Sequence, residues 1–149
     1  GNIVISNTGA TGHVIADASV AGLSPEGWAR AVAKCAAKHG ADKVVAEKNQ
    51  GGDMVKSVLR AADIAMPVRL VHASRGKAAR AEPVAALYEA GRVKHAGRFP
   101  ALEDELCGLS AGGGYDGPGR SPDRADALVW ALTELMLGRR RAAKVRGLG

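Results

Sequence analysis

The feature that most constrains this chain is a repeated change of period. Short β-branched runs alternate with stretches whose apolar residues recur at helical spacing. Lys43–Glu47, Val68–His72 and Arg92–His95 read as strands. Between them lie a helix carrying Met54, Val55, Val58 and Leu59 after a Gly51-Gly52 break, and a helix over Lys77–Ala90 with Val84, Leu87 and Tyr88 turned inward. Strands joined by crossover-length helices lie parallel in a sheet, because a hairpin turn can join only antiparallel strands. The opening residues break that rule. Ile3 and Ile5, then His13–Ala16, flank Thr8-Gly9-Ala10-Thr11-Gly12 and read as two antiparallel strands and their turn.

Two further helices are expected from their start and stop signals. Ser24-Pro25-Glu26 offers an N-cap, a first-turn proline and a first-turn acid, followed by Trp28, Val32, Cys35 and Ala36 on one face as far as Gly40. Ser121-Pro122-Asp123 opens a helix with Leu128, Ala131, Leu132 and Leu135 as its buried stripe, ending at Gly138. A short helix fits Pro100–Leu109, and the glycine-dominated Ala111–Gly119 reads as a mobile loop. Aromatic residues make up only 3% of the 149, so Val, Leu, Ile and Ala must fill the core, which favours a layered α/β domain over an aromatic-rich sandwich. The expected fold class is a mixed sheet, antiparallel first and then parallel, flanked by helices.

Several function classes are excluded. No run approaches the ~18 apolar residues of a membrane span, and GNIVISNTG lacks the basic head and apolar stretch of a secretion signal. Cys35 and Cys107 are too few for a disulfide framework or a zinc quartet and read as reduced core residues. Gly76-Lys77 is followed by Ala and lacks the earlier glycine of a phosphate loop, GATGH lacks the third glycine of a dinucleotide fingerprint, and His13, His39, His72 and His95 show no ligand spacing.

The net charge of +6 is concentrated in the last eleven residues, RRRAAKVRGLG, which hold five of the 21 Lys and Arg. That tail over 139–149 suits nucleic acid and suits a solvated terminus equally. Arg69–Arg98, with Arg75, Lys77, Arg80, Arg92 and Lys94 against only Glu82 and Glu89, is the better candidate for a phosphate-facing surface. Among the acids, Glu47 stands at the C-terminal end of an apolar strand, where open α/β sheets place ligands. Asp123 and Asp126 are three apart on one helix, so they share a face and are placed to meet a common ion. The alternative is that Asp123 merely complements the helix N-terminus and Asp126 is solvated or pairs with Arg124.

Four segments in order carry a resemblance: Ala46-Glu47-Lys48-Asn49-Gln50-Gly51-Gly52, Ser74-Arg75-Gly76-Lys77-Ala78-Ala79-Arg80-Ala81, Leu87-Tyr88-Glu89-Ala90-Gly91-Arg92-Val93, and Ser121-Pro122-Asp123-Arg124-Ala125-Asp126-Ala127-Leu128 with Trp130-Ala131-Leu132. Together they resemble the C-terminal nuclease domain of the large terminase subunit of tailed phages and prophages, over nearly the whole chain. The Asp-x-x-Asp-Ala helix is also similar to that of Holliday-junction resolvases. The resemblance implies an RNase H-like domain over 1–138 that cuts concatemeric double-stranded DNA with two Mg²⁺ or Mn²⁺ ions in the host cytoplasm. By the same resemblance its partners are a motor ATPase domain of the same polypeptide, the portal or head and the small terminase subunit.

Carried over by motif, Glu47 is the strand-end metal ligand and Asp123, with Asp126, the helix ligand. Lys77, Arg80 and Arg75 would meet phosphates, although each taken singly is equally an ordinary surface charge. Gln50, with Asn49, would orient DNA or metal-bound water, or only cap the following helix. The family's trio begins with an Asp on a first strand, whereas this sequence starts at what matches the second, so the first strand is expected to be missing. Asp17 has no assigned role in that pattern. The rival expectations are a catalytically silent DNA-binding or docking module of the packaging machine, and a Holliday-junction-resolvase-like nuclease.

Overall fold

The computed structural model describes residues 2–48, 53–61, 67–109, 114–119 and 121–138. Asn49, Gln50, the Gly51-Gly52 break and the basic tail therefore lie outside the described residues. The chain divides into two compact units, one of Ile3–Asp17 with the residues from Arg75 onward, the other of Asn2 with Ala18–Ser74.

In the first unit, β1 (Ile3–Thr8) and β2 (Thr11–Asp17) form the expected antiparallel hairpin. Its two-residue turn places Gly9 at φ 60°, the conformation a II′ turn reserves for glycine. The register slips between Val4 and Ile5, so that Val4 faces Ala16 and Ile5 faces Val14. Ile15 is the unpaired extra residue, and it is exposed on the face opposite the buried Gly12 and Val14. On its other side β2 pairs in parallel with β5 (Val93–His95). Three helices cover this sheet: α3 (Lys77–Glu89), α4 (Pro100–Gly108) and α5 (Asp123–Leu132), the last continued by a π-helical turn over Thr133–Gly138.

Val14, Val84, Leu87, Val93, Leu102, Leu128 and Leu132 form the core of this unit. Helix α5 runs against β1, α3 and α4. The buried stripe of its C-terminal half is Leu128, Val129, Leu132 and Met136, while Ala131 and Leu135 are only half-buried, one position off the expected pattern. Packing over β2 is close: a Cβ on Gly12 would lie 2.8 Å from Met136 Sδ and 3.1 Å from Leu132 Cδ2.

The second unit holds α1 (Pro25–His39), β3 (Val44–Glu47), α2 (Asp53–Ala61) and β4 (Val68–Val71). The signals around α1 act as expected. Ser24 Oγ accepts from Gly27 N at 3.1 Å, and Gly40 closes the helix in the left-handed conformation. Strands β3 and β4 pair in parallel from Val44↔Val68 to Glu47↔Val71, and Ala29, Val32 and Leu59 form the core with Trp28, Val44 and Val68 against them. The fold is thus mixed α/β with antiparallel and parallel strands, as expected, but the pairing falls into one three-stranded and one two-stranded sheet.

Two expectations need correction. Both cysteines are free, but Cys35 is only half-buried and Cys107 is exposed, because α4 turns Leu102, Glu105 and Gly108 inward instead. The glycine-rich segment is tethered where it is described. Leu109 bridges Tyr115, and Asp116 N donates to the Gly108 carbonyl at 2.8 Å. A Cβ on Gly108 would sit 2.7 Å from Gly117 Cα, so these glycines serve close backbone approach. Residues 110–113 lie outside the description.

Candidate active site at the head of helix α5

Helix α5 begins without a side-chain cap of its own, since Pro122 occupies the N-cap position. The missing acceptor comes from α4. Glu105, buried, accepts from the backbone N–H of Arg124 at 2.9 Å and of Ala125 at 3.3 Å, which satisfies two of the donors a helix start leaves open and sets a negative charge on the positive end of its dipole. The Arg124 side chain returns to the same carboxylate, with Nη1 3.4 Å from Glu105 Oε2, while its Nε donates to Asp17 Oδ2 at 3.0 Å. Sequence reading gave neither Glu105 nor Asp17 this task. A cap supplied from an earlier helix leaves no local pattern.

Asp123 and Asp126 separate. Asp126, its side chain 7% exposed, accepts from Arg80 Nη2 at 2.6 Å, and Arg80 is itself only 10% exposed. Nη1 of Arg80 donates to the Arg75 carbonyl, the guanidinium lies 4.9 Å from the centroid of the Trp130 ring, and Nε has no hydrogen-bond partner among the described residues. This is a buried ion pair stacked on an aromatic face, binding α3 to α5. The expected pairing of Asp126 with Arg124 is not formed, because Arg124 is held by Glu105 and Asp17.

Asp123 is 70% exposed. Its Oδ1 accepts from Ser121 Oγ at 2.8 Å and lies 3.3 Å from Lys77 Nζ, which also donates to Ser121 Oγ at 2.6 Å. Partial burial pushes the Asp123 carboxyl up, but the hydrogen bonds from Ser121 and Lys77 more than offset this and hold it below the usual carboxylate range. The first turn of α5 therefore presents one accessible, ionised carboxylate beside one ammonium group. Ser121, the bridge between them, was read from sequence only as part of the helix start.

The family model described as the terminase RNase H-like domain matches residues 1–135. The chain belongs to this family. Comparison with curated proteins finds no match. Terminase RNase H-like domains are nuclease-type modules of viral DNA packaging, and nucleases of this fold usually use divalent metals.

In this terminase domain the remaining expected residues are placed as follows. Glu47, half-buried, ends β3 in the second unit, opposite Val71, and Arg75 is exposed just ahead of α3. Asp123 fits a hard cation: its oxygens are exposed, ionised and already draw a positive group. The Asp126 carboxylate is instead paired with Arg80 and buried. Among the described residues no group of three or more His, Cys, Asp or Glu side chains converges as a cation cage. Nor is any helix among them long and apolar enough to cross a membrane.

Proposed function

We propose that this domain is the metal-dependent endonuclease of a viral packaging terminase, cleaving concatemeric double-stranded DNA by phosphodiester hydrolysis. The observation that carries the reading is Asp123, an exposed and ionised carboxylate fixed at the first turn of α5 with the Lys77 ammonium beside it, in a chain of this nuclease family. Asp123 and Glu47 would hold divalent cations, Mg²⁺ or Mn²⁺. When bound, such ions activate water and stabilise the leaving oxygen of a phosphodiester.

The other residues do work of their own. Lys77 and the exposed Arg75 offer positive charge to phosphates, and Gln50, just past β3, is kept as a DNA contact. Arg80, proposed from its place in the basic segment, acts instead through Asp126 by fastening α5 to α3. Asp126 is thus a positioning residue for Asp123, and so is Glu105.

Nicking of supercoiled plasmid with Mn²⁺ or Mg²⁺ tests this, comparing the domain with Glu47→Ala and Asp123→Ala. Nicking abolished by either substitution and by chelation is expected. Full activity in both variants refutes the assigned residues. One observation favours a second reading, a catalytically silent DNA-binding module: the described acids do not converge. That reading predicts salt-sensitive duplex binding that survives chelation, with no cutting in any form.

A further inference from the structure

We propose that Lys77 is a resident counter-cation of Asp123, held there by Ser121, and that it must leave the carboxylate for a divalent cation to bind. This rests on the reading of Asp123 as a metal ligand. Three observations carry it. Lys77 Nζ and Ser121 Oγ converge on the same oxygen, Oδ1 of Asp123, at 3.3 and 2.8 Å. The Ser121 hydroxyl has a single proton, which it gives to Asp123, so its lone pairs are open to Lys77, which donates to it at 2.6 Å. The ammonium is therefore anchored by two contacts instead of resting on the carboxylate by chance. Finally, the pair is accessible, with Lys77 37% and Asp123 70% exposed. An ion pair in that setting is weak and screened, as a displaceable counter-ion must be.

A divalent ion on Asp123 would lie within a few ångström of the ammonium, and the repulsion between the two positive charges favours release of Lys77. Lys77 sits at the first position of α3, so rotation of its flexible side chain frees the amine without disturbing the helix. Once off Asp123, the amine is available to a DNA phosphate beside the same carboxylate. Metal loading and duplex binding then favour each other, and by linkage each raises the affinity of the other by the same factor.

Calorimetric Mn²⁺ titration of the domain, Lys77→Met, Lys77→Arg and Asp123→Asn tests the proposal without reference to cleavage. Lys77→Met is expected to tighten Mn²⁺ binding about tenfold. Lys77→Arg keeps the charge and stays near the parent value. Ser121→Ala, which loosens the anchor but keeps the amine, shifts affinity in the same direction by less. Adding a short duplex should tighten Mn²⁺ binding in the parent and not in Lys77→Met. Mn²⁺ binding that needs Asp123 but is equal in the parent and Lys77→Met overturns the counter-ion role and leaves the nuclease reading standing. No Mn²⁺ binding in either protein, with both melting cooperatively, overturns the two together.

Discussion

Replacing Asp126 with alanine should destabilise the first unit far more than replacing Asp123, although the two residues are one helical turn apart. In Asp126→Ala the Arg80 guanidinium keeps its bond to the Arg75 carbonyl and its stacking on Trp130 but loses the 2.6 Å contact to Asp126, with Nε already unpartnered among the described residues. A buried cation left in that state costs about 3–5 kcal/mol, and loss of an acid from the first turn of α5 adds about 0.3–1 kcal/mol. Asp123→Ala removes the same first-turn contribution but otherwise only an exposed pair worth at most about 1 kcal/mol. Trp130 lies under Arg80 and reports the transition directly, so urea unfolding followed by its fluorescence in a Trp28→Phe background is the assay. Arg80→Met with Asp126→Leu, which removes both charges, should return to within about 1 kcal/mol of the parent. If Asp126→Ala alone unfolds within that margin of the parent, the carboxylate is not buried with Arg80 and the division between the two aspartates fails.

Glu105→Ala should cost about 1–2 kcal/mol through the lost cap, while Glu105→Gln keeps an acceptor oxygen and recovers part of it; amide exchange at Arg124 and Ala125 locates the effect. Gly108→Ala drives a methyl group into the Gly117 backbone, at about 1–3 kcal/mol, and should release the Leu109–Tyr115 bridge, seen as altered Tyr115 resonances. In the Tyr88–His95–Glu103 cluster, His95 bridges the Tyr88 hydroxyl at 2.8 Å and a Glu103 oxygen at 2.9 Å. Its bond to Glu103, aided by Phe99 N–H, holds that carboxyl below its ordinary range. The resulting stability is present above the unfolded carboxylate value of about 4.3 and is lost as pH falls through the lower folded value. Burial, and then the Glu103 charge, push the Tyr88 hydroxyl well up, so its contribution holds below pH of about 10 and is lost as pH rises further. Melting temperature against pH should lose the acid limb in Glu103→Gln and the alkaline limb in Tyr88→Phe.

What was legible in the sequence depended on how local its cause was. The Ser24 cap, the left-handed Gly40, the hairpin at Gly9 and the parallel pairing of β3 with β4 each arise from a few neighbouring residues, and each reads correctly. Contacts that depend on a distant partner are not legible in this way. Arg80 belongs to a basic run and looks like a phosphate contact until α5 folds against α3 and supplies Asp126 and Trp130. Glu105 belongs to no motif of its own, yet it closes the start of a helix 19 residues later. Gly117 reads as part of a mobile loop because glycine permits both flexibility and close approach, and only the chain returning past Gly108 selects the second.

The aspartate pair shows the same limit and yields a decisive experiment. Residues three apart in an α-helix are separated by about 60° around the axis and about 4.5 Å along it, so they share a face in a loose sense only. Where a helix grazes the edge of a core, that angle places one side chain in solvent and the other inside, as at Asp123 and Asp126. Loss of plasmid nicking in each single variant would therefore have different origins. In Asp126→Ala it follows from the weakened seat of α5 on α3, so Arg80→Met with Asp126→Leu, which restores that packing without either charge, should restore nicking together with stability. In Asp123→Ala the fold is intact and no partner substitution can restore nicking. Nicking that stays absent in the restabilised double variant would mean that Asp126 itself meets the reacting atoms, and the assignment of Asp126 as a positioning residue would have to be given up.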